Sequence, residues 1–407
     1  MSDLTQTIAF ASQLYREKAA TAYAGYVRRD QLARLSLRPG RANPYPLYEQ
    51  LRARGPLIRT RRGEWVTTSH RVCSAVLRDR RFGQTPADEV EASFLTMNPP
   101  DHTRLRRIAA PAFSPRAVAT YQERIEQVAG RLLDEAAGQQ EFDLVSAFAA
   151  PLPIAVITAL LGVPESDAAT FTRYGVLLGG ALDGIRSLRH AAQLQAANNE
   201  LQKLFENLFA LRRAEPRDDV VSHIVAAEGG QIQPAEMLPI CSLLLIAGFE
   251  TTVNLISNSV IALLSHPEQW KAVCADPAGL ALQAVEETLR YDPPVHLTGR
   301  YAFEPVELEG QRIGEGEEVI TLLAAANRDP EVYDDPATFD LSRENPAPHL
   351  AFSGGIHYCL GQPLATLEAR TALRLIAERL PGLRQAGPVK RRNATIIRGP
   401  LTLPVAC

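Results

Sequence analysis

Apolar residues along the chain recur at helical rather than alternating spacing, over long stretches poor in Gly and Pro. Ala, Leu and Arg dominate these stretches, and all three are strong helix formers. The spacing predicts helices over 122–137, 191–213, 238–264, 279–291 and 363–380. Asp276-Pro277 and Asp292-Pro293-Pro294 bracket the fourth of these, where proline belongs at helix boundaries. Segment 300–323 reads differently: apolar and polar residues alternate between glycines, which predicts a β-hairpin region. Smaller strand candidates are 64–68 and 394–405. There is no internal repeat and no low-complexity linker. The pattern predicts one mainly α domain with a minor β region over 41–407. A leading segment over 1–40 precedes it, helical in pattern and without an assigned role.

Composition narrows the partners. Hydrophobic residues make up 46% of the 407 positions, enough for a large buried core. Lys and Arg number 43 against 46 Asp and Glu, a net charge of −3, whereas duplex-binding proteins carry a strong basic excess. No nucleic acid is expected as partner. The Arg-rich stretches 59–62 and 78–81 read as solvated faces. Cys73, Cys241, Cys274, Cys359 and Cys407 are odd in number and widely spaced, so neither a disulfide framework nor a metal finger is expected. A reducing cytoplasm suits them. The first 24 residues lack the pattern of a secretory signal. The most apolar run, 239–249, is too short to span a bilayer. The expectation is a cytoplasmic monomer with no membrane anchor.

Candidate chemistry concentrates in Phe352-Ser353-Gly354-Gly355-Ile356-His357-Tyr358-Cys359-Leu360-Gly361. A lone cysteine is ordinarily a small buried hydrophobe. Here glycines flank it at 354, 355 and 361, allowing a tight loop and close approach of backbone to a flat ligand. Such a loop aims backbone N–H groups at the sulfur, which stabilises a thiolate and tunes a metal bound to it. The helix predicted directly afterwards places its N-terminal end toward the same negative charge.

The pattern Phe-x-x-Gly-x-x-x-Cys-x-Gly, present as Phe352, Gly355, Cys359 and Gly361, resembles the haem-binding loop of the cytochrome P450 family. The resemblance implies haem b, with Cys359 as axial thiolate to the iron and His357 directed at a haem propionate. Ser353 departs from the glycine that many bacterial members carry there; only a local change is expected from so small a residue.

Further motifs extend the likeness. Ala247-Gly248-Phe249-Glu250-Thr251-Thr252 lies mid-way along an apolar helix. A carboxylate there is costly unless paired, and beside a hydroxyl it can serve a proton relay. The segment resembles the family's oxygen-activation motif, with Glu250 and Thr251 as acid and alcohol and with Ala247 and Gly248 against the cofactor, Gly248 leaving room for a ligand. Thr251 can also bond back to the carbonyl of Ala247. Glu287-Thr288-Leu289-Arg290 places Glu287 and Arg290 on one helix face. Alone that pair means little; it resembles the family's structural Glu-x-x-Arg. By the same resemblance His102, Arg106 and Arg300 hold the propionates, with Arg104 and Arg107 exposed. The likeness begins near Pro39-Gly40-Arg41 and continues through Ala326-Asn327-Arg328, 335–340 and Arg398-Gly399-Pro400.

The implied activity is insertion of one oxygen atom from O2 into a hydrophobic small molecule, by hydroxylation or epoxidation of a terpenoid, steroid, fatty acid or polyketide type. A separate ferredoxin and ferredoxin reductase would supply electrons near Cys359, where Thr366 replaces an Arg common in the family. Candidate substrate contacts are Phe94, Leu95, Leu243, Ile246, Val295, His296 and Ile396, with His296 at the pocket edge rather than a base. Pocket walls are expected from loops over 84–96 and 172–188, the second hinging at Gly179 and Gly180. The alternatives are a haem-thiolate sensor or ligand-binding protein without turnover, which needs no proton relay, and a helical interaction protein that would purify colourless.

Overall fold

The computed structural model describes residues 2–85, 95–179, 184–344 and 347–407. The five long helices predicted from the pattern are present as Gln122–Ala137, Leu188–Ala214, Pro234–Ser265, Pro277–Tyr291 and Gln362–Arg379. Pro234 and Pro277 occupy the first helical position and Pro363 the second, where a missing N–H leaves no helical bond unmade. Asp276 caps the helix it precedes, its side chain accepting from the Gly279 N–H at 3.0 Å. The start of Pro234–Ser265 is closed by a capping box in which the Gln233 N–H donates to Glu236 at 2.8 Å.

That 32-residue helix is the axis of the molecule. By length and composition it could cross a membrane, so the 239–249 run understates it; yet 67% of its most apolar window is buried within the protein. Helices Pro151–Leu161, Glu165–Gly179, Pro277–Tyr291 and Gln362–Arg379 pack on it and share its hydrophobic core. An apolar helix enclosed in this way needs no polar face.

The alternating segment forms strands as predicted, but they part company. Val306–Leu308 and Gln311–Ile313 make a hairpin of their own. It turns on Glu309 and Gly310, both at positive φ (53° and 68°), as a two-residue hairpin turn requires. Thr298–Ala302 and Glu318–Thr321 enter a five-stranded sheet with Ile58–Arg59, Trp65–Thr67 and Phe82–Gly83. In it Trp65–Thr67 runs parallel to Glu318–Thr321 and the other pairings are antiparallel. Near the C-terminus, Pro404–Ala406 pairs with both Glu141–Asp143 and Arg384–Gln385.

Two expectations are corrected. Segment 172–188 is not a loop at its start: helix Glu165–Gly179 continues through it, because Phe171 and Leu178 bury their side chains in the main core. Position 40 is not a break in structure either. Helix Arg38–Ala42 spans it, and Leu35 packs with Leu47, Tyr48 and Leu51 in one apolar cluster.

Candidate functional site

Cys359 lies between the strand-rich side and helix Gln362–Arg379. The loop before it is held by backbone bonds from the Ser353 N–H to Leu350 O (2.9 Å), the Tyr358 N–H to Gly355 O (3.1 Å) and the Cys359 N–H to Phe352 O (2.9 Å). Gly355 sits at φ +64°, and a Cβ there would lie 2.3 Å from the Leu77 carbonyl oxygen. Glycine is required there because the loop presses backbone to backbone against helix His70–Arg78. Gly361 does face the cavity, with open space where a Cβ would project.

The Cys359 side chain opens into that cavity and is accessible from it, deep within the surrounding protein. Burial pushes its thiol up, while the Gly361 N–H, the Arg106 guanidinium and the Gln362 N–H pull it down. These are the donors anticipated for a tight loop running into a helix. They favour a thiolate once a cation meets the sulfur.

Across the cavity stands helix Pro234–Ser265. Leu243, Leu244, Ala247, Gly248, Thr251, Thr252 and Leu255 line it. These positions recur at three- and four-residue spacing, one stripe of the helix. The Thr251 Oγ donates to the Ala247 carbonyl at 3.1 Å. Gly248 borders the cavity, but the room it leaves is for protein: a Cβ there would meet Ile157 at 2.7 Å.

Glu250 is 3% exposed and is not on the cavity wall. Its carboxylate accepts from the Arg392 guanidinium in an ion pair. Gly179 lies against it so closely that a Cβ would come within 2.2 Å of Oε2. Gly179 is therefore a buried packing position rather than a hinge, and Gly180 lies outside the described residues. Ile246, four residues before Glu250, shares its face and likewise does not reach the cavity.

A second group of side chains gathers beside the Cys359 loop. His102 is 1% exposed, and neither ring nitrogen has a partner among the described residues. Its ring centroid is 4.2 Å from that of His357, whose Nε2 is also unpartnered. Burial, followed by the charge of Arg106, pushes His102 down to about 4. Burial, with His102, Arg300 and Arg106 behind it, pushes His357 down to about 3. Arg106 lines the cavity and donates to the Tyr358 carbonyl. Arg300 is 2% exposed, and burial lowers its guanidinium to about 10. It donates to Gly299 O (2.7 Å), Thr298 Oγ1 (3.0 Å) and Ser353 Oγ (3.2 Å), and it has no carboxylate partner among the described residues.

Two guanidiniums and two imidazoles that burial keeps neutral meet in one corner without an acid among the described residues, and His102 Nδ1, His102 Nε2 and His357 Nε2 lack partners there. Two carboxylates of a flat ligand would meet both needs. His102, Arg106, Arg300 and His357 thus fit the propionates of haem, and Cys359 fits its iron.

Glu287 and Arg290 are far from the weak exposed pair their spacing alone would allow. Both are buried, and Arg290 grips Glu287 through two bonds of 2.7 Å. Arg290 also donates to the carbonyls of Pro336 and Thr338 (2.8 Å each) and Asn327 (3.2 Å), while Glu287 accepts from the Asp340 N–H at 2.9 Å. Asn327 in turn accepts from the Leu350 N–H at 2.7 Å, which carries the network to the cysteine loop.

Of the other candidates, Phe352, Leu95 and Val295 line the cavity, and Phe94 lies outside the described residues. His296 and Ile396 do not line it. His296 is fully buried behind Val295, its Nδ1 3.0 Å from Tyr48 Oη and its Nε2 3.6 Å from Asp292. The Ile396 carbonyl accepts from the His296 N–H at 2.9 Å, so both belong to the layer behind the wall. Arg104, expected to be exposed, clamps Glu236 at 2.6 Å and Asp101 at 2.8 Å, tying helix Asp101–Ala109 to the start of the central helix.

The sequence reading missed Leu244, Thr252 and Leu255, although extending the stripe through Thr251 by two turns back and one turn on reaches them. It also missed Arg392 and Ser353 as partners of Glu250 and Arg300. No local signal marks a pairing across 142 or 53 residues.

The chain is similar to known proteins over most of its length. A family profile described as Cytochrome P450 matches residues 280–381. The cytochrome P450 monooxygenase PikC of Streptomyces venezuelae is 40% identical over 387 residues, covering 89% of this chain and 91% of that protein. Cytochrome P450 107B1 of Saccharopolyspora erythraea is 42% identical over 334 residues, 80% of each. Among solved structures, ligand-free CYP164A2 of Mycobacterium smegmatis superposes with a TM-score of 0.87 at 39% identity, covering 93% of this chain and 99% of that one. P450BioI, solved in complex with an acyl carrier protein bearing hexadec-9Z-enoic acid, superposes with a TM-score of 0.84 at 36% identity, covering 90% and 99%.

Proposed function

The chain belongs to the cytochrome P450 family, and from that membership we propose that it inserts oxygen into a hydrophobic small molecule held between Thr251 and Cys359. It is a haem-thiolate monooxygenase with haem b as cofactor. When bound, the haem supplies activation of O2 by two electrons and two protons, so that one oxygen enters the substrate and the other leaves as water. Cys359, held as a thiolate, would donate electron density to an iron bound there.

The observation that carries the proposal is that Thr251, on the central helix, and Cys359 line one predominantly apolar cavity from opposite sides. Leu243, Leu244, Leu255 and Val295 exclude water and select apolar ligands. The Thr251 hydroxyl gives its proton to the Ala247 carbonyl, so its oxygen faces the cavity as an acceptor that orders a proton-bearing partner. Glu250, adjacent in sequence and held by Arg392, is the carboxylate that resupplies protons from the far side of the helix. Cys359 ligates the iron, and His102, Arg106, Arg300 and His357 orient the cofactor through its propionates. Glu287 and Arg290 fix the loop that presents the cysteine.

A ferredoxin with its reductase delivers the electrons at the Cys359 face. The apolar lining suits a substrate of fatty acid, steroid, terpenoid or polyketide type; a relative's capture with a carrier-bound C16 acyl chain places acyl chains first among these to try. Reduced protein exposed to carbon monoxide is expected to show the strongly red-shifted Soret band of a thiolate-ligated haem. Well-folded, haem-loaded protein without that band would overturn the assignment of Cys359. Spectral titration with fatty acids, steroids and macrolides then ranks the substrate classes.

A further inference from the structure

Ser353 adopts φ +65°, in the left-handed region that costs an L-residue with a Cβ and that glycine enters freely. Gly355, two residues on, takes the same region and is glycine. A serine that accepts such a conformation beside a binding site points to a use for its side chain. That side chain lines the cavity, and its Oγ accepts from Arg300 Nη2 at 3.2 Å. The oxygen accepts from Arg300, and the hydroxyl keeps its one proton to donate. Among the described residues Arg300 is otherwise anchored only through Nη1, to Gly299 O and Thr298 Oγ1.

We propose that Ser353 is a further haem-binding residue: it steers the Nη2 edge of Arg300 and presents its own hydroxyl to the same propionate. A glycine at 353 would relieve the backbone and do neither. The proposal rests on the haem-thiolate reading of the site. It adds that the residue following Phe352, outside the Phe-x-x-Gly-x-x-x-Cys-x-Gly pattern, takes part in holding the cofactor. A donor lost from a propionate leaves more negative charge near the iron, which favours the ferric state.

The test compares S353G and S353A holoenzymes with the wild type. S353G removes hydroxyl and strain together; S353A removes the hydroxyl and keeps the Cβ. Both are expected to retain the red-shifted band with carbon monoxide. Both should transfer haem to excess apomyoglobin about tenfold faster, the loss of one hydrogen bond to a charged group. Both should also show a more negative midpoint reduction potential. Haem loss within twofold of wild type in S353A would overturn the proposal, as would faster loss in S353G alone, which would make the effect one of backbone. Collapse of the red-shifted band in both variants would reduce Ser353 to a builder of the loop and also overturn it. A wild-type protein lacking the band overturns the haem-thiolate reading instead, so the two failures are distinguishable.

Discussion

At the scale of single residues, the site depends on which atom each side chain commits. Thr251 spends its proton on Ala247 and offers its oxygen to the cavity. Thr251→Ala is therefore expected to keep cofactor and substrate binding but to lower product per electron pair on the order of 10²-fold, with hydrogen peroxide released instead. A sensor or carrier would be indifferent to the change. Parallel assays of product and peroxide decide it. His296 illustrates the opposite case, a titratable residue near the cavity without a part in the chemistry. Burial pushes it down to about 4; Asp292 works the other way, and Arg398 and Arg328 add to the depression. Its folded value lies below that of an unfolded histidine, about 6.5, so the unfolded chain binds the proton first. The stability it contributes is complete above about pH 6.5 and is lost as pH falls toward 4. Denaturant melts over that window should show a shallower acid loss in His296→Gln than in the wild type.

At the scale of elements, the fold works by tying distant segments to one loop. Helix Pro277–Tyr291 holds 335–340 and Asn327 through the Glu287–Arg290 pair, and Asn327 holds Leu350. Glu287→Gln leaves the Arg290 charge buried without its partner. A loss of about 3–5 kcal/mol is expected, with loss of haem retention, because removing one member of a buried pair strands the other. Urea unfolding and haem content measure the two effects. The central helix shows the same logic on its two faces. One stripe, from Leu244 to Leu255, makes the cavity wall; the opposite side carries Glu250 to Arg392 and to the end of Glu165–Gly179. A proton relay from Glu250 to Thr251 must therefore pass around the helix, not straight across the cavity.

At the scale of the molecule, cofactor and fold stabilise each other. Without propionates, the corner of His102, Arg106, Arg300 and His357 holds two guanidiniums with no carboxylate partner and imidazole nitrogens with no partner among the described residues. Haem binds only the folded arrangement and so raises stability in proportion to the logarithm of its free concentration, by about 4 kcal/mol at a thousandfold excess over Kd. Thermal melts of haem-loaded and haem-depleted protein should differ accordingly; coincident melts would contradict that coupling.

Much of this was legible in the sequence. The five long helices follow from their apolar period and their prolines, and the cysteine loop from a short pattern whose glycines and thiol have few other uses. The order of distant motifs carried the family likeness. Helical period by itself also places Leu244, Thr251 and Leu255 on one stripe. What periodicity cannot supply is the neighbour that a given stripe faces. Only the tertiary structure put Glu250 and Ile246 behind the cavity wall, set His296 against Tyr48 and Asp292, and joined Arg300 to Ser353. Apart from the local His296–Asp292 contact, those choices depend on segments 50 or more residues apart meeting in a packed core, where burial and charge pairing, not local propensity, select the arrangement.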